Sequence, residues 1–167
     1  LNCGSSSVKF SVYDSQAGSF ICRGLVERVG TEESFLKLEH GEKKTRLEQT
    51  CADHTAAVGL VLRVLTEGEN SPVADLGSIR AVGHRTVHGG EKFASSAKIS
   101  EALIATLEEL SALAPLHNPP NLAGIRAAQS LLPDIPHVAV FDTAFHQSME
   151  PEAYLYPVPY EWYETHG

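Results

Sequence analysis

The chain has 167 residues, of which 43% are hydrophobic and 20% charged, a composition typical of a soluble globular domain with a buried core. Its formal net charge of −8 argues against nucleic acid or an anionic membrane as the main partner, because both need a basic face. Three cysteines without a CxxC spacing argue against a disulfide framework or a structural zinc site and favour a reducing cytoplasm. No apolar run approaches the roughly 20 residues of a membrane span.

The first half of the chain has the pattern of β-strands. Val8, Phe10 and Val12 alternate with polar residues, which is the two-residue period of a strand buried on one face. Gly30 and Gly41 separate the stretches that follow. We predict further strands at residues 20–29, 34–39 and 43–48.

The second half alternates helices with strands. Asp53 and Ser100 are the N-caps of two predicted amphipathic helices, and an Asn-Pro-Pro sequence at residues 118–120 predicts a third that runs to about Leu132. The remaining predicted strands are residues 79–87 and 137–143. The aromatic tail at residues 154–167 is expected to pack on the domain surface. This order of elements predicts an α/β domain, or an α+β layered one.

The opening turn is a candidate anion site. Gly4 is followed by three serines, so a tight bend there offers backbone N–H groups and hydroxyls to an anion. Alternation along the strand places Lys9 on the same face as Ser7 and opposite Val8. The alternative is a polar hairpin with a solvated lysine.

A second candidate is the segment "GHRTVHGG" at residues 83–90. His84 and His88 lie too far apart on a strand to share one metal ion, at about 13 Å. The alternation instead puts Arg85 and Val87 on one face, where they could hold a carboxylate by charge and a short alkyl group by contact. A surface ion pair is the alternative for Arg85.

Two further residues stand where ligands are often bound. His117 precedes a predicted helix N-terminus, which can place an imidazole beside an anion. The alternative is that Asn118 merely caps the helix and that His117 is exposed. Asp142 follows an apolar strand at its C-terminal end, where α/β folds present ligand-facing residues, although Asp is also common as a cap.

Taken together, five segments resemble the acetate kinase family, the acetate and propionate kinases of the actin-like, RNase H-like phosphotransferase superfamily. They are "LNCGSSSVKF", "GHRTVHGGEKF", "PLHNPPN", "FDTAFHQSM" and "AYLYPVPYEWYE", and they occur in the family's order over essentially the whole chain. The resemblance implies an actin-like ATPase domain, a mixed β-sheet flanked by helices that forms one half of a two-domain kinase. Residues 1–167 would be its N-terminal acyl- and phosphate-binding domain.

The resemblance also implies roles for the residues of the opening loop. Asn2 matches a residue near the magnesium-bound phosphates and is the candidate metal contact. Ser5 and Ser7 match serines that line the phosphate path, and Lys9 matches a lysine that approaches the nucleotide phosphates.

The other motifs match the acyl pocket and the catalytic acid of the family. Arg85 matches the arginine that binds the acyl carboxylate or the phosphoryl group, and Val87 a wall of the small apolar pocket. Leu116 and His117 match a second wall and a phosphate contact. Asp142 matches the catalytic acidic residue, which together with Arg85 completes the expected catalytic pair.

The implied reaction is ATP + acetate giving ADP + acetyl phosphate, with Mg²⁺ as cofactor and a cytoplasmic homodimer as the full-length enzyme. The family's second, nucleotide-binding domain does not occur within these residues, and the chain looks cut at both ends, so we expect it to be inactive alone. A kinase of propionate or another short acid is one alternative. A non-catalytic, isolated actin-like module is the other.

Overall fold

The first half of the chain folds as an antiparallel meander in a computed structural model that describes residues 1–68 and 71–166. Its five strands pair in chain order. They are β1 (Asn2–Gly4), β2 (Ser7–Asp14), β3 (Ser19–Glu27), β4 (Phe35–His40) and β5 (Lys43–Glu48). The predicted alternation along β2 is confirmed, since Val8 and Phe10 are buried while Lys9 is exposed.

A second sheet has the order β6-β8-β7, with β6 (Val82–Thr86) parallel to β8 (His137–Phe141) and β7 (Ala97–Lys98) antiparallel to β8. Two backbone hydrogen bonds join it to the first sheet. The Leu1 nitrogen donates to the Gly83 carbonyl at 2.7 Å, and the Arg85 N–H donates to the Leu1 carbonyl at 2.9 Å. This is the pattern of a parallel pair, so β1 continues the sheet beside β6.

Helices cover one face of the sheet. They are α1 (His54–Thr66), α2 (Glu101–Glu109) and α3 (Asn118–Leu131). Two short helices, α4 (Pro151–Tyr154) and α5 (Tyr160–His166), lie in the C-terminal tail. The expected caps are confirmed: Asp53 accepts from the Ala56 N–H at 2.8 Å and Ser100 from the Leu103 N–H at 3.3 Å. Helix α3 packs on β1 and β6 and against α1, which lies over β2.

The buried core lies between these helices and the sheet. One cluster includes Val8 and Val26 under α1, and a second includes Leu107, Ile125 and Phe141 between α2, α3 and β8. Because strand side chains alternate, the residues on the opposite face point away from the helices. Lys9 of β2 and Arg85 of β6 lie on that outer face and are exposed.

The expected mixed sheet flanked by helices is confirmed, with three local differences. The strand predicted at residues 137–143 ends at Phe141, because Asp142–His146 form a 3₁₀ helix. The strand predicted at residues 79–87 is shorter, because a 3₁₀ turn at Leu76–Ser78 delays its start to Val82 and it ends at Thr86. The tail forms α4 and α5, but Tyr156 and Trp162 remain 83% and 58% exposed, so its expected packing on the domain is largely absent. Position 167 of that tail lies outside the described residues. Within those residues, no helix is long and apolar enough to cross a membrane.

Candidate active site

The opening turn is a tight hairpin anchored from below. Ser5 and Ser6 form its two-residue turn, with Gly4 paired to Ser7 across it. The Gly4 carbonyl accepts a hydrogen bond from Nε2 of His54 at 2.8 Å, and the Ser6 carbonyl accepts from the Val29 N–H at 2.9 Å. These two bonds fix the turn to α1 and to the segment after β3, and they leave the serine hydroxyls of the turn outside.

Asn2 and Lys9 lie opposite each other on β1 and β2. Directly paired residues of neighbouring strands project on the same side of a sheet, so both face outward together with Ser7. Lys9 is exposed and Asn2 is half-buried. The predicted shared face of Ser7 and Lys9 is therefore confirmed.

Arg85 is the centre of the outer face. On β6 its neighbours His84 and Thr86 are buried at 3% and 0% exposure, so Arg85 projects outward as predicted. Its Nε donates to both carboxylate oxygens of Asp142, at 3.2 and 3.0 Å, and its Nη2 donates to Oδ2 at 2.6 Å. Its Nη1 donates to Oδ1 of Asn2 at 3.3 Å. Three predicted site residues thus meet in one cluster.

The contacts of Arg85 leave part of its guanidinium for a ligand. A guanidinium carries five N–H donors. Asp142 takes the Nε–H and one hydrogen of Nη2, and Asn2 takes one hydrogen of Nη1. One hydrogen on each terminal nitrogen is not used by these partners. Since the Arg85 and Asp142 side chains are 47% and 42% exposed, an incoming carboxylate or phosphoryl group can reach these two donors.

Val87 follows β6 and is half-buried, with its N–H donating to Oδ1 of Asn121 at 3.0 Å. The loop after it is tied to the end of β8. The Gly89 N–H donates to Oγ1 of Thr143 at 3.0 Å, and Nε2 of Gln147 donates to the Gly90 carbonyl at 3.1 Å. The segments that carry Arg85 and Asp142 are therefore held together beyond their ion pair.

Leu116 and His117 lie at the start of α3 and are both exposed, Leu116 at 78%. His117 occupies the N-cap position without a capping hydrogen bond. Asn118 is fully buried and does not cap the helix: its amide bonds both backbone groups of His88, at 3.3 and 3.1 Å. These two hydrogen bonds between Asn118 and His88 place the Leu116–His117 turn beside the loop that follows Val87.

Sequence reasoning missed two buried contacts of this site. Asn121 bridges β1 and the end of β6, and only the repeated asparagines of "HNPPN" hinted at a role for it. His84 stacks on His137 of β8, with Nε2 of His84 3.0 Å from Nδ1 of His137. Nε2 of His137 lies 2.9 Å from the Leu132 carbonyl, which can only accept, so this nitrogen carries the proton. Burial lowers the pKa of His84 to about 3 because it disfavours the charged imidazolium.

Asp142 and Asn2 carry the side-chain oxygens that lie next to Arg85. Within residues 1–68 and 71–166 there is no group of three His, Cys, Asp or Glu side chains arranged to hold a metal ion. Mg²⁺ keeps several waters and is commonly bound through one or two carboxylates plus substrate phosphates. Asp142 has acceptor capacity beyond its bonds to Arg85. Asp142 and Asn2 therefore do not form a metal cage by themselves, although the Asp142 carboxylate fits a contact to a cation held mainly by other ligands.

Comparisons with known proteins identify the family of the chain. The Acetokinase family profile matches residues 1–167. The acetate kinase of Geobacter metallireducens is 52% identical over 168 residues, which cover 100% of this chain and 40% of that protein. The crystal structure of Porphyromonas gingivalis acetate kinase has a TM-score of 0.94 and 46% identity, covering 99% of this chain and 42% of that one. A propionate kinase from Francisella tularensis has a TM-score of 0.89 and 37% identity, covering 99% and 42%.

These likenesses confirm the expected actin-like fold of the N-terminal part of such kinases. The chain spans about 40% of the length of the curated relatives that it matches. With the profile matched from the first residue to the last, the chain belongs to the acetokinase family.

Proposed function

We propose that the full-length protein is a carboxylate kinase that catalyses ATP + acetate = ADP + acetyl phosphate. The observation that carries the proposal is the Arg85 guanidinium. It is held by Asp142 and Asn2 on an open sheet face, with two N–H donors left for an anion. Family membership and acetate kinases among the relatives support the same substrate class.

In this reaction a carboxylate oxygen of acetate attacks the γ-phosphorus of ATP, and the bond from that phosphorus to the β,γ-bridging oxygen breaks. Acetate is already ionised at neutral pH, since carboxylic acids have pKa values of about 4 to 5, so no general base is required. Phosphoryl transfer depends mainly on alignment and on charge stabilisation around the three equatorial oxygens. Orientation of Arg85 by Asp142 supplies that requirement, and proton removal by Asp142 is not needed.

The neighbouring side chains complete the proposed pocket. Val87 forms the wall against the methyl group of acetate and Leu116 a second wall, while Arg85 binds the carboxylate or the transferring phosphoryl group. His117 at the helix start and Lys9 on the outer face offer further N–H donors to phosphate. Ser5 and Ser7 line the path of the phosphates at the hairpin.

The proposed cofactor is Mg²⁺ bound to ATP, which would neutralise charge on the β- and γ-phosphates. Asp142 is the residue suited to bond its waters. Asn2 is also proposed to face the metal-bound phosphates. Because Oδ1 of Asn2 already accepts from Arg85, a water-mediated contact suits it better than direct ligation. We further propose a cytoplasmic homodimer for the full-length protein, which light scattering after size-exclusion chromatography tests.

A second candidate substrate is propionate, because a propionate kinase shares 37% identity and the same fold over this whole region. One methylene group in an apolar pocket changes kcat/KM by only about 10- to 200-fold. Comparison of kcat/KM for acetate, propionate and butyrate on the full-length protein decides between them.

The test of the proposal is acyl phosphate formation by the full-length protein, trapped as the hydroxamate. We expect Mg²⁺- and ATP-dependent product, and a fall in kcat/KM of about 100-fold or more for Arg85→Leu, since a donor of this kind typically contributes that much. Arg126→Leu is the matched control, because Arg126 is another ion-paired arginine of similar exposure, on helix α3. Absence of acyl phosphate from the wild type, or equal losses in the two variants, would overturn the proposal.

A further inference from the structure

Asn121 is a buried amide that connects two strands of the site. It lies in the first turns of α3 and is 4% exposed. Its Nδ2 donates to the Cys3 carbonyl of β1 at 2.7 Å, and its Oδ1 accepts from the Val87 N–H at 3.0 Å. One side chain thus satisfies a backbone acceptor and a backbone donor that are 84 residues apart in sequence, which is 87 − 3.

The two backbone groups that Asn121 holds are next to proposed ligand contacts. Cys3 directly follows Asn2, whose Oδ1 accepts from Nη1 of Arg85. Val87 itself is the proposed wall for the alkyl group. Asn121 therefore links the backbone beside the Asn2–Arg85 contact to the backbone of Val87. The Asn2–Arg85 contact is the proposed carboxylate end of the pocket, and Val87 is the proposed alkyl end.

The neighbouring Asn118 makes this arrangement more than one isolated buried amide. It is also fully buried and bonds both backbone groups of His88, the residue after Val87. Two successive backbone positions are therefore fixed by amides from the same helix, where the regular pairing of β6 has ended. Hydrogen-bonded buried amides specify one backbone arrangement because an unpaired partner is costly.

We propose that Asn121 is a positioning residue that tunes the acyl-chain selectivity of the pocket by fixing Val87 relative to Arg85. This inference rests on the proposed carboxylate kinase function. Asn121 does not touch substrate; it acts through the backbone of Val87 and Cys3.

The first experiment compares acetate and propionate as substrates of full-length Asn121→Leu. Leu has similar volume and no amide, so the Val87 N–H is released. We expect kcat/KM for acetate to fall between about tenfold and a hundredfold, as for small misplacements of a reacting group. The acetate-to-propionate ratio of kcat/KM should change by at least about threefold, because the wall that discriminates one methylene is no longer fixed.

Ile125→Ala is the matched control, since Ile125 is fully buried one turn further along the same helix and faces the core. It should lower Tm but leave the acetate-to-propionate ratio unchanged, because partial unfolding reduces both activities equally. An unchanged ratio in Asn121→Leu would reduce Asn121 to a structural residue and overturn the proposal.

A second variant, Asn121→Asp, gives a readout that does not depend on volume. The ionised carboxylate lacks the donor for the Cys3 carbonyl, whereas the protonated acid again has one donor and one acceptor. Burial raises the pKa of such an acid, so we expect activity relative to wild type to rise several-fold as pH falls from about 8 to about 6. Ionisable groups on the elements that pack against α3 are present in both proteins, so their own titration is common to the two activities compared. They are Cys3 on β1, His84 and Arg85 on β6, His54 and Arg63 on α1, and Glu101, Glu108 and Glu109 on α2, with His88 and His117 beside the start of α3. A flat ratio would contradict the proposal.

Hydrogen exchange separates failure of the inference from failure of the proposed function. The Val87 amide should exchange at least about tenfold faster in Asn121→Leu than in wild type, and at the wild-type rate in Ile125→Ala. If the Val87 amide exchanges faster in Asn121→Leu but the wild type phosphorylates no acid, the proposed carboxylate kinase function is wrong. The role of Asn121 in fixing the Val87 backbone is then retained. If the enzyme is active and the Val87 amide exchanges equally in all three proteins, the positioning role is wrong.

Discussion

The substitution Asp142→Asn isolates the ion pair that orients Arg85. It keeps the size of the side chain and removes its charge. One of the two oxygens is replaced by an amide nitrogen, which is a donor and faces the N–H donors of Arg85. The three N···O contacts of 2.6 to 3.2 Å are then reduced to those of a single neutral acceptor.

The expected effect on stability is small and the expected effect on activity is large. Both partners are about half exposed, so the pair contributes about 0–1 kcal/mol to the free energy of unfolding. That corresponds to at most about 2–4 °C in Tm for a chain of this size. Loss of a preorganised electrostatic contact in an active site typically lowers kcat by about 100- to 1000-fold. We therefore expect a nearly unchanged Tm and a fall in kcat of at least about 100-fold.

The assay is hydroxamate formation by full-length wild type and Asp142→Asn, with acetate and Mg²⁺ varied separately. If Asp142 orients Arg85 and the waters of Mg²⁺, the variant should show a raised KM for acetate and partial recovery at high Mg²⁺. Glu39→Gln is the control, because Glu39 forms an exposed 2.6 Å pair with Arg23 on the same sheet and should change neither constant. A variant that loses only kcat, with wild-type dependence on acetate and on Mg²⁺, would refute this reasoning and favour a proton-transfer role.

Two further predictions concern stability. Burial lowers the pKa of His84 from 6.5 to about 3, so between these pH values unfolding takes up a proton. The free energy of unfolding should therefore be highest above pH 6.5 and fall below that pH by up to about 1.4 kcal/mol per pH unit. Urea titrations should find a smaller slope for His84→Gln. Gly90→Ala should lower the free energy of unfolding by about 1–2 kcal/mol, because Gly90 has φ of 58° and a Cβ there would lie 2.8 Å from Cδ2 of Leu110. Gly41→Ala, with φ of 59° and no atom within 4 Å of the added Cβ, should lose only the conformational part, and equal losses in the two variants would contradict the contact.

Local patterns predict most of the elements in this chain because their causes are local. The alternation around Val8 reports one buried face, and Asp53 and Ser100 cap their helices through residues only three positions away. Strand β7 has two residues, too few for a period to appear, and β1 has three, so that β1 is indicated only by the Gly-Ser turn that follows it. Their existence depends on partners elsewhere in the sheet.

The sequence likewise predicts the features of the site that depend on a single strand. The outward face of Arg85 follows from alternation on β6, and the position of Asp142 follows from the end of β8. The contact between His84 and His137 crosses 53 residues and the bond from Asn121 to Cys3 crosses 118, so neither leaves a periodic signal in the sequence. The parallel pairing of β6 with β8, and of β1 with β6, brings these residues together.

Under the proposed reaction, the pairing of Arg85 with Asp142 means that different groups orient the anionic substrates and attract them. A paired arginine adds no net charge, so this cluster orients an anion well but attracts it weakly. The chain as a whole carries a formal charge of −8, which opposes the approach of acetate and ATP further. The attraction must then come from Lys9, from Mg²⁺ on the nucleotide and from the remainder of the full-length protein. Removal of the Lys9 charge should accordingly weaken nucleotide binding more at low salt than at high salt, while the Arg85 contacts, which act at bonding distance, should show little salt dependence.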